Sequence, residues 1–136
     1  MTYGELLYNY RMKHGSLVKP KQGWDSLDKK LWLAYSMGRK RGFTDLGTYA
    51  NKPGDHGVGP PALAFDLGDS NRFFFKGWEY IKARRLAKRY VQYHKQLSIN
   101  YVILGRRIWS RQRPYWHTLT TGDTSHDFHI HVSGVH

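Results

Sequence analysis

The stretch "SHDFHIHVSG", Ser125 to Gly134, decides the fold of this chain. It places three of the chain's eight histidines within six positions and ends on alternating polar and apolar residues. Side chains two apart in a β-strand share a face. As a strand, the segment sets His129 and His131 side by side and turns Ile130 and Val132 the opposite way, into a core. The alternation therefore predicts a sheet with one packed face and one wet, reactive face.

The remaining elements follow from periodicity. "WDSLDKKLWLAYSMGRKRG", residues 24–42, predicts a helix with Asp25 or Ser26 as N-cap and Gly42 as the C-terminal stop. Leu27, Leu31, Ala34 and Tyr35 form its buried face. A second helix runs from about Lys76 to Gln96. Trp78, Ile81, Leu86, Tyr90 and Val91 give it an apolar stripe, and Lys82, Arg84, Arg85, Lys88, Arg89 and Lys95 coat the rest. Residues 1–23 read as a short helix at Tyr3 to Tyr10 followed by an irregular arm.

"ALAFDLG", residues 62–68, is a short buried strand ending at Asp66. Residues 44–61, dense in Gly and Pro, are turns and loop around at most one short strand. "INYVIL" and "RRIWS" pair as strands about Gly105, and residues 111–125 form a loop. The fold expected is α+β, one domain over residues 1–136. A small antiparallel sheet carries the site on one side and packs two main helices on the other.

Composition narrows the chemistry. Hydrophobic residues make up 40% of the 136, with 15% aromatic, which suits a folded globule. The absence of cysteine excludes disulfides, thiolate metal sites and cysteine nucleophiles. No apolar run approaches the roughly 20 residues of a membrane span, and "MTYGELLYNYRMKHG" does not read as a signal peptide. Lys and Arg number 22 against 10 Asp and Glu, a net charge of +12 that favours a polyanionic partner.

A second segment complements the histidine strand. In "DHGVGPPALAFD", residues 55–66, His56 opens a glycine-rich loop and Asp66 closes a strand. A catalytic zinc site uses three protein ligands, drawn from imidazole nitrogens and carboxylate oxygens, and leaves a fourth position for water. His56, Asp66 and one of the C-terminal histidines supply such a set without cysteine. The other histidine is then placed to stabilise an oxyanion or move a proton.

"HGVG", "AFD" and "HIHVSG" together resemble the LAS zinc metallopeptidases, which include lysostaphin, D-Ala-D-Ala carboxypeptidase and the Hedgehog signalling domain. That pattern is His-x-x-Gly-x-Ala-x-Asp, followed much later by His-x-His. "INYVILGRRIWS" is similar to the strand pair of a carboxypeptidase-like branch in phage and actinobacterial cell-wall proteins. The matching stretches span residues 56–68 and 99–134. The resemblance implies His56, Asp66 and His131 as Zn2+ ligands and His129 as the neighbouring histidine that assists the transition state. It further implies a peptidoglycan peptidase that cuts an amide of the cross-linking peptide at the bacterial cell wall, delivered by phage lysis or with a virion.

Two departures stand out. His56 and Asp66 lie ten positions apart, three more than the pattern, with the extra residues in "PPAL". Asp55 and Asp69 are the reserve carboxylates. The branch also places an acid directly before His-x-His, where this chain has Phe128. Asp127, one position earlier, is the nearest carboxylate for a general base.

Around this set, Arg106 and Arg107 either bind a substrate carboxylate bidentately or sit as solvated edge residues. Trp116 is expected to line a substrate groove, His117 to border the site, and Trp109 to pack in the core. Tyr49 and Asn51 serve either a groove or a turn. The basic helix face is either solvated or a contact for an anionic cell-wall polymer. Two other functions are compatible with the same residues. One is a basic nucleic-acid-binding or phosphoesterase protein; the other is a catalytically degenerate, wall-binding member of the same fold.

Overall fold

The histidine strand lies at the centre of the sheet. The computed structural model describes residues 1–49, 56–57, 59–68, 77–120 and 129–136, the side chains of 77 and 78 excepted. Among these, six strands form one antiparallel sheet: β1 (Thr44–Gly47), β2 (Ala64–Gly68), β3 (Ile99–Leu104), β4 (Arg107–Ser110), β5 (His117–Thr118) and β6 (His129–Gly134). Their order is β1-β2-β6-β3-β4-β5, so the last strand of the chain is inserted between β2 and β3.

Register fixes what each face carries, because directly opposed residues share a face. Asp66 pairs with His131, Gly68 with His129 and Ala64 with Ser133. On the other flank Ile103 pairs with His131 and Tyr101 with Ser133. One face thus gathers Asp66, His129, His131, Ser133 and Tyr101. The other gathers Phe65, Leu67, Val102, Leu104, Ile130 and Val132, all buried in one apolar core.

Among the described residues, three helices cover that apolar face: α1 (Tyr3–His14), α2 (Trp32–Lys40) and α3 (Gly77–Gln92). The α+β architecture expected from the alternation is the one observed, with α1 packing on α2 as a third helix. None of the described helices is long and apolar enough to cross a membrane. Tyr35, Phe65 and Tyr90 form the centre of the core. The Phe65 ring meets Tyr35 and Tyr90 edge-on, at 5.7 and 6.3 Å between centroids, and all three side chains are fully buried. The Tyr90 hydroxyl donates to the Ala34 carbonyl at 2.6 Å, tying α3 to α2.

Several boundaries differ from the sequence expectation, each for a local reason. α1 runs one turn beyond Tyr10, to His14. Thr2 and Glu5 form a reciprocal capping box at its start, and Arg11, Lys13 and His14 complement the dipole at its end. α2 begins at Trp32, not at Asp25 or Ser26. Residues 24–31 instead form two 3-10 turns flanking an extended Leu27, which pairs with Ala62. The Asp28 amide donates to the Ala62 carbonyl and the Ala62 amide to the Ser26 carbonyl, both at 2.9 Å, so a long-range pairing overrides the local helical pattern. β2 continues two residues beyond Asp66, and α3 ends at Gln92. Residues 117 and 118, expected in a loop, add a short edge strand to β4.

Two glycines are required by position. Gly42 has a φ of 93° just past the end of α2, where it lets the chain turn into β1. Gly38 lies where α2 approaches the sheet most closely. A Cβ there would collide with Leu67 and lie 2.8 Å from the Tyr90 hydroxyl.

Candidate metal centre

β2 and β6 bring Asp66 and His131 into direct register, and the loop after β1 lays His56 over them. His56 Nε2 is 3.1 Å from Asp66 Oδ2, and His131 Nδ1 is 2.9 Å from Asp66 Oδ1. Donor atoms of His56, Asp66 and His131 all lie within 4.8 Å of one another, close enough to hold one metal ion. In a tetrahedral site with metal–ligand bonds near 2.05 Å, neighbouring donors sit about 3.3 Å apart. The two contacts to Asp66 open by a few tenths of an ångström to admit an ion, while the widest donor pair, at up to 4.8 Å, draws in. Two imidazoles and a carboxylate suit zinc and the other borderline divalent metals.

The second nitrogen of each histidine is already held. His56 Nδ1 faces the backbone carbonyl of Thr48. A carbonyl only accepts, so Nδ1 carries the hydrogen and Nε2 is the atom free to ligate. His131 Nε2 lies 2.9 Å from Ser133 Oγ. A hydroxyl both donates and accepts, so Ser133 suits either tautomer of His131, with Nδ1 protonated toward Asp66 or deprotonated toward a metal. Tyr101 stacks on the His131 ring at 5.6 Å and 24°, and His56 meets the same ring edge-on at 5.1 Å. Such outer partners fix ligand orientation and typically account for 10–100-fold in metal affinity. Ser133→Ala is expected to weaken metal binding about 10–100-fold with the fold retained, as measured by competition with a chromophoric chelator.

Electrostatics follow from this geometry. Burial alone would raise the Asp66 carboxyl, but hydrogen bonds from His131 and His56 and the charges of His131 and His129 hold it well below the usual carboxylate range. Burial would likewise lower His56, yet the hydrogen bond and charge of Asp66, with the Thr48 carbonyl, raise it above its ordinary value. In the metal-free chain both His56 nitrogens face acceptors, which favours the protonated ring.

A histidine raised on folding contributes stability that is complete below its unfolded value, about 6.5, and lost as pH rises through the folded one. The depressed Asp66 contributes stability present above about pH 3.9 and lost only far into acid. The stability difference between metal-free wild type and His56→Gln should thus be greatest between about pH 4 and 6.5 and shrink above that range, as measured by urea unfolding. Metal binding runs the other way. It expels the His56 proton, so affinity falls by up to about tenfold per pH unit below the His56 titration.

His129 is the third imidazole at this group. Its Nε2 lies 3.5 Å from Asp66 Oδ1, beside the three-donor group and outside it. The expected wet face is in fact closed here: His129 and His131 are only 6% and 5% exposed. β6 is flanked by strands on both sides, which the alternation of a single strand does not reveal. Asp66 and His56 are the more open pair, with side chains 22% and 19% exposed.

The other expected site residues separate. Arg107 pairs with Leu104, which places it on the helix-covered face, and Trp116 lines the same groove there, packed against the core. These two expected substrate-binding residues therefore lie across the sheet from the metal group. His117 pairs with Ile108, and Ile108 with Ile103, so His117 is on the histidine face. It stands three strands from His131, about 14 Å at normal strand spacing. Trp109 is buried against His94, and Tyr49 packs on the core. Asp127, Asn51, Asp55 and Asp69 lie outside the described residues.

Sequence reasoning missed Thr48, Ser133 and Tyr101 as supports of the group. Ser133 was within reach, since it follows His131 by two residues on one strand and must share its face. Thr48 acts through its backbone and Tyr101 through strand order, and neither leaves a local trace. No family model, curated protein or solved structure matches this chain, so the functional reading rests on the site itself.

Proposed function

We propose that the chain is a zinc-dependent peptidase that hydrolyses an amide in the cross-linking peptide of peptidoglycan. It would act at the bacterial cell wall and reach it by phage lysis or with a virion. The observation that carries this reading is the convergence of His56, Asp66 and His131 on one point, with His129 immediately beside them. Zinc, when bound, supplies a Lewis acid for the scissile carbonyl and acidifies a water. His56, Asp66 and His131 hold it through Nε2, a carboxylate oxygen and Nδ1. Thr48 and Ser133 keep both rings aimed.

His129 is the residue left to work on protons. Beside the donor set and next to the Asp66 carboxylate, it would act as the general acid-base group that passes a proton to the leaving amine. The net charge of +12 suits a substrate embedded in an anionic wall.

The test supplies zinc-loaded chain with cross-linked peptidoglycan fragments and follows newly released amines by mass spectrometry. Zinc-dependent amine release, stopped by a chelator, supports the reading. His129→Ala should retain zinc and lose about 10²–10⁴ of the rate. Full zinc occupancy without cleavage of any cross-linked fragment would make the protein a binding module and overturn the peptidase reading.

A further inference from the structure

A groove of about 620 Å³ lies on the opposite side of the sheet from the metal group, between α3 and the β4–β5 edge. Four cationic side chains line it: Arg84, Arg85 and Lys88 from α3 and Arg107 from β4. All four are exposed, and no carboxylate lines the groove among the described residues. Its floor is apolar, built from Ala87 and Leu104, both buried.

The helix bears a cost for this arrangement. Arg84 and Lys88 stand four residues apart, where like charges on a helix repel. Glu79 is the one acid in the sequence of α3, so the basic stripe lacks the alternating carboxylates that usually balance an exposed helix. Concentrated basic charge with no lining carboxylate among the described residues, in a concave site with an apolar floor, marks a place for an anionic ligand.

We infer that this groove is a second binding site, and that its ligand is a base-free phosphodiester chain, a polyol-phosphate polymer. Four residues of helix advance about 6 Å, so Arg84 and Lys88 present two charges separated along the axis, with Arg107 facing them across the groove. Cations spaced in this way suit successive phosphates of a chain better than a single anion.

The state of the aromatic residues favours a base-free chain over the other common phosphodiester. Single-stranded nucleic acid is held by open rings on which successive bases stack. Here the Arg84 guanidinium sits over one side of the Tyr80 ring, 6.0 Å from its centroid, and Trp116 is half-buried against the core. Among the described residues the groove offers chiefly charge, and both of its rings are partly occupied, Tyr80 by Arg84 and Trp116 by the core. A polymer held there leaves the histidine face clear, so this site would tether the chain while the other face works.

The test measures binding of a fluorescent glycerol-phosphate polymer to zinc-supplied full chain by anisotropy, over a series of salt concentrations. Arg84→Gln/Lys88→Gln should weaken binding at least about tenfold and make the log–log salt slope shallower by about one to two. Lys13→Gln/Lys19→Gln removes the same charge from α1 and the arm after it, and should change affinity less than about threefold. Both double variants alter exposed side chains, and unchanged thermal midpoints verify their folds. Equal losses in the two variants would show a general charge effect and overturn the proposal. So would absence of polymer binding by wild type, or equal or tighter binding of an oligothymidylate with the same number of phosphates. Zinc content, measured on the same samples, is independent of every one of these outcomes.

Discussion

Asp66→Asn is expected to abolish metal binding, lowering zinc affinity by at least about a thousandfold, or about 4 kcal/mol. Asp66 touches both other ligands, at 2.9 and 3.1 Å, and is the single carboxylate of the group. An amide keeps the shape but loses the charge that offsets a divalent cation in a largely buried site. It also turns an NH₂ toward one of the two imidazoles. The fold should survive, because Asp66 faces away from the core that Phe65 and Leu67 enter. Measured at alkaline pH, where His56 has shed its proton, the variant strands no buried imidazolium. A competition titration with a zinc indicator reads the loss, and far-UV circular dichroism reports the fold. Near-wild-type zinc affinity would show that the ion is held elsewhere.

Phe65→Ala should produce the largest loss of stability, about 3–5 kcal/mol. Phe65 is fully buried one residue from Asp66, with Tyr35 on one side and Tyr90 on the other. Its ring joins the sheet to both α2 and α3, and truncation leaves a cavity that three elements must collapse to fill. For a domain of this size the cost corresponds to a fall in thermal midpoint of roughly 10–20 °C. Phe65→Leu should lose less than half as much, because it keeps most of the volume. Differential scanning calorimetry of the metal-free proteins separates the two. Similar midpoints for wild type and Phe65→Ala would mean that the core is organised around other residues.

The legible part of the fold was whatever depends on short periods. Ile130 and Val132 enter the core and His129 and His131 share the other face, as two-residue alternation requires. The strand pair about Gly105 and the basic helix were visible for the same reason. Strand order and register were not. The sequence placed Arg107 near a hairpin turn but could not tell its face, and only pairing with Leu104 puts it across the sheet from the histidines. Leu27 belonged to a helical pattern by spacing, yet it pairs with Ala62, more than thirty residues away. His56 sits on a loop and Asp66 on a strand, so their meeting does not depend on the number of residues between them. A loop can lengthen without moving either end.

Elemental analysis of the wild-type chain, after zinc saturation and exhaustive dialysis, tests the central claim most directly. With His56, Asp66 and His131 forming one centre, about one zinc per chain should remain. Retention of less than about a tenth of an equivalent would contradict a metal centre and leave the three side chains as a partly buried hydrogen-bonded network.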